Sequence, residues 1–318
     1  MRICMLGAGA LGSAIGGTLA EGGHDVVLVD AWPAHVEAIN TKGLSLREGG
    51  VDRTVRVRAQ TSAEDLGAVD LVIVLVKSYH TRAAMEAARS LVGPDTVAMS
   101  LQNGLGHEDI LIEVLGRGRV MAGKTYTGGV VLGPGHVIAG VKGKHTIIGE
   151  LDGHESPRAQ RIAAALSAAG VATTVSPNIL GTMWDKLLIN VGTGALAGIT
   201  RLTYGDLYAV PEVEATALAA IREAIDCAKA LGIPLTSANP KDAWLLAKEG
   251  LPPEFKTSML QSLEKSLPTE IDFINGAVVR AGARCGVATP VNATLVACIK
   301  GVERGQAGQG KKLPGAST

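Results

Sequence analysis

Ile3-Cys4-Met5-Leu6-Gly7-Ala8-Gly9-Ala10-Leu11-Gly12 is the stretch that decides the fold. An apolar strand pattern breaks at Gly7, and a helix pattern rich in Ala, Gly and Leu runs from Ala10 to Glu21. A Gly-x-Gly-x-x-Gly string alone is weak in a chain holding 41 glycines. Placed between a strand and a helix, it becomes specific. Gly7 permits the tight turn, Gly9 lets the backbone approach a pyrophosphate, and Gly12 lets the helix pack closely on the strand. The phosphates then lie at the positive helix N-terminus, against the backbone of Ala10 and Leu11. An ordinary glycine turn is the plain alternative. Asp30 argues against it, because it closes the second strand at the distance where an acidic residue bonds a ribose 2′-hydroxyl. The same carboxylate repels a 2′-phosphate, and nothing in Ala31, Trp32, Pro33 or Ala34 would neutralise one. Of NAD and NADP, NAD is therefore favoured.

Outward from this turn, short β-branched runs alternate with helical patterns, which is the signature of βαβ units and a parallel sheet. Residues 71–76 are apolar without alternation, as expected of a central strand covered on both faces, and residues 97–100 belong beside it. Residues 119–150 are rich in Gly, Val, Thr and Ile, with turn signals at Gly128-Gly129 and Gly133-Pro134-Gly135. They read as antiparallel strands extending the sheet. Ser156-Pro157 opens a helix, residues 171–175 form a last strand, and a domain boundary falls near Asn178. Beyond it β-rich runs vanish and helices follow, broken at Gly232-Ile233-Pro234, Pro252-Pro253 and Pro268. The expectation is an α/β chain: a Rossmann-type doubly wound sheet over residues 1–178, an all-helical domain over 179–304, and a frayed tail over 305–318.

At 318 residues, two cores are the natural expectation. Apolar residues make up 47% and charged residues 19%, which suits a globular protein and excludes a disordered chain. Thirty basic residues balance thirty acidic ones, so no net field favours nucleic acid or an anionic membrane. Cys4, Cys227, Cys285 and Cys298 are scattered without a Cys-x-x-Cys pair, so neither a disulfide framework nor a metal site is expected, and a reducing cytoplasm fits. Met1-Arg2 leading directly into a strand leaves no signal peptide, and residues 71–76 are too short to span a bilayer.

Lys77 follows the central strand and Asn103 the next, at the strand ends where doubly wound sheets bind ligands. Taken singly, Lys77 reads equally as a solvated strand end and Asn103-Gly104 as a turn. Farther on, Lys186 and Asn190 lie four apart on one helix face, in Trp184-Asp185-Lys186-Leu187-Leu188-Ile189-Asn190. Thr269 and Asp272 have the spacing of a capping box after Pro268, which puts Glu270 in the first helical turn, where the helix dipole favours a carboxylate. His24 reads as a surface turn residue.

With these motifs in order, the chain resembles the ketopantoate reductase family from residue 1 to about residue 300. The matching signatures are Gly7-x-Gly9-Ala10-x-Gly12, Lys77, Gln102-Asn103-Gly104, Trp184-x-Lys186-x-x-x-Asn190, Ser258-Met259-Leu260-Gln261, and Thr269-Glu270-Ile271-Asp272 through Asn275-Gly276. The resemblance implies a Rossmann domain joined to a helical domain. It implies Lys186 as general acid, Asn103 orienting it, and Glu270 bonding the lysine or the substrate hydroxyl. Asn190 and Ser258 would hold substrate oxygens, and Lys77 would fall on the cofactor side. Relatives of this kind occur as dimers, so a homodimer is possible.

Two positions depart from the family pattern. Gly194 stands where a second asparagine usually contacts substrate, and Asp30-Ala31 stands where NADPH-using members carry a basic residue. The leading expectation is a reductase of ketopantoate or a close 2-oxo acid, with hydride from NAD(P)H and no metal. The alternatives are an NAD-dependent 2-hydroxy acid dehydrogenase of the same family and a non-catalytic dinucleotide sensor. A 6-phosphogluconate or 3-hydroxy acid dehydrogenase shares the domain plan but needs a different motif around its lysine.

Overall fold

A computed structural model describes residues 1–309 and divides them into two units. The first holds Met1–Gln102 and Gly106–Leu180, and the second holds Asn103–Leu105 and the chain from Gly181 onward. The crossing at residue 180 lies two residues beyond the boundary read from sequence.

In the first unit, β1 (Arg2–Leu6), α1 (Ala10–Glu21), β2 (Asp25–Val29) and α2 (Pro33–Lys42) make the opening βαβα run. A hairpin, β3 (Leu44–Glu48) and β4 (Val51–Val55), precedes β5 (Arg58–Gln60). Then come β6 (Leu71–Val74), α3 (Thr81–Ala87), β7 (Val97–Ser100), α4 (His107–Leu115) and β8 (Val120–Thr125). The unit ends with β9 (Gly128–Gly133), β10 (His136–Gly140), β11 (Thr146–Gly149), α5 (Pro157–Ala168) and β12 (Thr173–Val175). The main sheet has the order β12-β11-β8-β7-β6-β1-β2-β5 and is parallel except where β11 meets β8. All four residues of β6 are buried, as an unalternating apolar run requires. The chain order reverses at β1, with β2 on one side and β6 on the other, so the ligand crevice of this sheet opens at their carboxyl ends.

The strands of residues 119–150 do not all extend that sheet. β8 and β11 join it, whereas β9 and β10 leave to form a second sheet of order β4-β3-β10-β9. β10 alternates, burying Val137 and Ala139 while Ile138 faces out. Such a strand needs a layer beneath one face only, and α1 supplies it. α1 is thus packed on both sides. A methyl at Gly16 would stand 2.6 Å from Leu28 and 2.7 Å from Met5 of the main sheet, and one at Gly17 would stand 2.8 Å from Leu44 and 2.9 Å from Leu46 of the second. Two interior glycines weaken a helix by about 1 kcal/mol each relative to alanine, so their presence records the tightness of this sandwich.

The second unit is helical: α6 (Ile179–Thr200, entering at Gly181), α7 (Tyr204–Leu207), α8 (Pro211–Ala230), α9 (Pro240–Lys248), α10 (Ser258–Glu264), α11 (Asn275–Cys285) and α12 (Pro290–Gln309). A 3-10 turn, Ile271–Phe273, precedes α11. Trp184, Leu187, Leu188, Val191 and Ala195 are buried at the spacing of one α6 face and pack with Ile221, Trp244, Leu260 and Ile299. α12 continues to Gln309, so residues 305–309 are helical where a frayed tail was expected; residues 310–318 lie outside the described residues. Among the described residues no helix is long and apolar enough to cross a membrane, and no group of three or more His, Cys, Asp or Glu is placed to hold a metal ion.

Two stability outcomes follow from this packing. Gly17→Ala presses a methyl onto leucine side chains and should lower stability by about 1–3 kcal/mol in thermal or urea unfolding. Gly12→Ala should cost more, since its methyl would fall 1.9 Å from the Gly7 carbonyl oxygen, and backbone cannot yield as a side chain does. Glu108, only 7% exposed at the start of α4, has its carboxyl pushed up to about 7 by burial, against the pull of its own and the Gly106 N–H groups. A carboxyl raised in the folded state penalises folding by up to about 3 kcal/mol above pH 7, and the penalty fades as the pH falls toward 4.5. Glu108→Gln should therefore melt above the wild type at pH 8, with the advantage gone near pH 4.5.

Candidate active site

The glycine turn sits at the crevice. Gly7 has φ +103°, and a methyl there would meet the backbone of Leu75 and Val76 at 2.5–2.8 Å, so a side chain is excluded by both torsion and space. The Gly7 N–H donates to Val29 and the Leu75 N–H to Leu6, which ties the turn to its two flanking strands. Gly9 is exposed with open space at its Cβ position, and α1 begins there without a side-chain cap or an acidic residue in its first turn. The first N–H groups of α1, including those of Ala10 and Leu11, carry the positive end of the helix dipole toward an anion. This cradle fits a dinucleotide pyrophosphate.

Asp30 is half-buried just past β2. Its Oδ2 accepts from the Ala8 N–H at 2.8 Å and its Oδ1 from the Trp32 N–H at 3.0 Å. The carboxylate is thereby held beside the turn, and each oxygen retains a lone pair for a ribose hydroxyl. Lys77 is exposed, three residues past the end of β6. Beside it, the Val76 carbonyl accepts from Gln102 Nε2 at 2.6 Å, and Gln102 also engages Ser100 and Thr81. Gln102 thus anchors the last residue before Asn103 in the first unit. His24 is partly buried and bridges the N-terminal amine and the Ala165 carbonyl, so it is a structural tie and not only a surface residue.

Asn103, Lys186, Asn190, Ser258 and Glu270 all belong to the second unit. The loop carrying Asn103 is attached there by the Leu105 N–H, which donates to the Phe273 carbonyl at 2.8 Å. Gly104 passes so near that a methyl on it would lie 2.2 Å from the same oxygen. Phe273 ends the 3-10 turn that Glu270 opens. Two residues on, Asn275 Nδ2 donates to the Val191 carbonyl at 3.2 Å, which pins this segment to α6 next to Asn190. Lys186 is one helical turn earlier on the same face, and both side chains are half-buried. The start of α10 reaches α6 as well: Met259, beside the exposed Ser258, lies 3.5 Å from where a methyl on Gly194 would stand. Every candidate residue of this unit therefore lies on, or within a few residues of, a direct contact of one connected cluster.

Two local expectations change. Glu270 is not in the first turn of an α-helix: Thr269 Oγ1 accepts from the Ile271 N–H at 3.3 Å, two residues on, and Glu270 opens a 3-10 turn. Asp272 pairs with Lys300 instead of completing a capping box. The dipole explanation for Glu270 thereby loses its basis. Asn275 is fully buried and structural, since its amide also donates to Asn292 Oδ1 at 3.0 Å, and Asn292 in turn is held by Glu223. Sequence reading missed Ser13 and His35, both buried against the glycine turn; a serine one residue past the last glycine was the available signal.

A family model described as ketopantoate reductase PanE/ApbA matches residues 3–153, and the model of that family's C-terminal region matches residues 178–303. The 2-dehydropantoate 2-reductase of Pyrococcus abyssi is 34% identical over 98% of this chain and 100% of its own length. Among solved structures, a PanE/ApbA family ketopantoate reductase from Ralstonia eutropha superposes with a TM-score of 0.87 at 34% identity, covering 96% of this chain and 100% of that one. A D-mandelate dehydrogenase solved with NADH and anilino(oxo)acetate gives a TM-score of 0.89 at 27% identity, again over 96% and 100%. Both halves of the chain match in order and nearly over their full length, and the protein belongs to the ketopantoate reductase family.

Proposed function

We propose that this protein reduces the ketone of ketopantoate or a closely related 2-oxo acid to the 2-hydroxy acid, taking hydride from NADH in preference to NADPH. The observation that carries the reading is the gathering of Asn103, Lys186, Asn190, Ser258 and Glu270 into one unit, although Asn103 comes from the chain of the first. Bound nicotinamide supplies the hydride. As the carbonyl carbon accepts it, the π pair moves to oxygen, and the Lys186 ammonium gives that oxygen a hydrogen bond and then a proton. Glu270 bonds the lysine or the substrate hydroxyl, Asn103 orients the lysine, and Asn190 and Ser258 hold substrate oxygens. NADH is preferred because Asp30, fixed by the Ala8 and Trp32 N–H groups, meets a ribose diol well and a 2′-phosphate badly.

A second reading within the family is an NAD-dependent 2-hydroxy acid dehydrogenase with an apolar substrate side chain. Gly194 favours it, because a Cβ placed there would meet only the buried Met259 side chain within 4 Å and no polar atom. The likeness to D-mandelate dehydrogenase supports the same direction.

Steady-state rates with ketopantoate and with 2-oxo acids bearing apolar side chains, each run with NADH and NADPH, separate these readings. Activity with NADH on ketopantoate is expected; turnover only with apolar 2-oxo acids would favour the second reading. No turnover with any 2-oxo acid would leave a dinucleotide sensor. Lys186→Ala should lower kcat by about 100-fold or more while leaving NADH affinity unchanged, and full activity in that variant would refute the mechanism. Asp30→Ala should narrow the NADH preference, raising the KM for NADH more than that for NADPH.

A further inference from the structure

The nucleotide turn is wired to the second sheet through side chains that no catalytic role has used. His35, on α2, is 1% exposed. Its Nδ1 accepts from the Gly135 N–H at 2.9 Å, in the turn between β9 and β10. An accepting Nδ1 leaves the proton on Nε2, which lies 3.1 Å from Ser13 Oγ and donates to it. The Ser13 hydroxyl passes its own proton to the Ala8 carbonyl at 2.6 Å. At the other end of the residue, the Ala8 N–H donates to Asp30 Oδ2. One direction of donation therefore runs from Gly135 through His35 and Ser13 to the backbone of Ala8, and the Ala8 N–H closes on Asp30. Burial pulls the His35 pKa down against the opposing pull of Asp30 and the Ala8 carbonyl, so the ring stays neutral and Nδ1 remains an acceptor. Trp32 stacks flat on the imidazole, 5.3 Å between centroids and 5° between planes, which restricts its rotation.

We propose that His35, acting through Ser13, is a positioning residue for the dinucleotide: it holds Ala8 so that Asp30 and the glycine turn keep the geometry that ribose and pyrophosphate require. Ala8 lies between the two groups that contact the cofactor, and both its carbonyl and its N–H are engaged by side chains. Without the Ser13 bond the carbonyl loses its buried donor, and Asp30 loses the fixed N–H that sets its rotamer. The effect belongs to cofactor binding and not to the chemistry at the carbonyl. The inference rests on the dinucleotide site and is indifferent to which 2-oxo acid is reduced.

Calorimetric titration of the full chain with ADP-ribose, alongside KM and kcat for NADH, tests this. His35→Asn keeps an acceptor near Nδ1 but loses the donor to Ser13, whereas His35→Gln keeps a donor near Nε2. Ser13→Ala removes one oxygen and carries the test if His35→Asn does not fold. His35→Asn and Ser13→Ala should weaken ADP-ribose binding and raise the KM for NADH by about three- to tenfold, with kcat within twofold of wild type and His35→Gln restoring most of the affinity. Wild-type affinity in folded His35→Asn and Ser13→Ala, or a loss confined to kcat, would overturn the proposal. Failure of the wild type itself to bind ADP-ribose would instead overturn the dinucleotide site, and this inference with it.

Discussion

The rest of the first unit depends on how closely α1 can approach its neighbours. Gly12 lies so near the Gly7 carbonyl that no methyl fits, Gly16 lies against Met5 and Leu28, and Gly17 against Leu44 and Leu46. A helix with ordinary side chains at these positions would stand off both sheets. Its N-terminus would then leave the mouth between β1 and β6, and the aligned N–H groups would no longer converge where a pyrophosphate can sit. The helix gives up intrinsic propensity at several glycines, and packing on two sides offsets the loss. The same sandwich carries β10 across α1 and brings Gly135 within reach of His35.

What was legible in the sequence follows from the range over which each signal acts. The strand-turn-helix at residues 2–21 is local, so period and glycine spacing disclose it. The buried β6 is local too, since a strand covered on both faces has to be apolar throughout. Lys186 and Asn190 share a face by helix geometry alone, and the buried stripe of Trp184, Leu187, Leu188 and Val191 assigns them to the other side. The resemblance then supplied roles that spacing cannot.

The features that escaped reading are pairings between distant segments. β9 and β10 carry the same turn signals whether they extend the main sheet or found another; what decides is the parallel partner β3, some ninety residues earlier in the chain. Thr269 and Asp272 have capping-box spacing, yet Lys300 of α12 takes the Asp272 carboxylate and the chain forms a 3-10 turn. Asn275 closes a family signature near Glu270, and its amide is spent on Val191 and Asn292 within the core. A buried polar side chain is obliged to find partners, and which ones it finds is a tertiary fact.

The residues proposed for cofactor and those proposed for substrate fall in different units. Gly7, Asp30, Ser13 and His35 belong to the first; Lys186, Asn190, Gly194, Ser258 and Glu270 belong to the second. On the proposed roles, Asp30 acts on the dinucleotide from the first unit alone, and Gly194 with Met259 acts on the substrate from the second alone. Asn103 is the exception in chain order, since it follows β7 of the first unit and counts with the second. Gln102 is clamped to Val76 and Thr81, while two residues after Asn103 the Leu105 N–H is bound to Phe273. Within the second unit the Leu105 N–H bond and the close pass of Gly104 along the Phe273 carbonyl tie the Asn103 loop to the 3-10 turn before α11, which is how an asparagine read from a strand end comes to belong with helices.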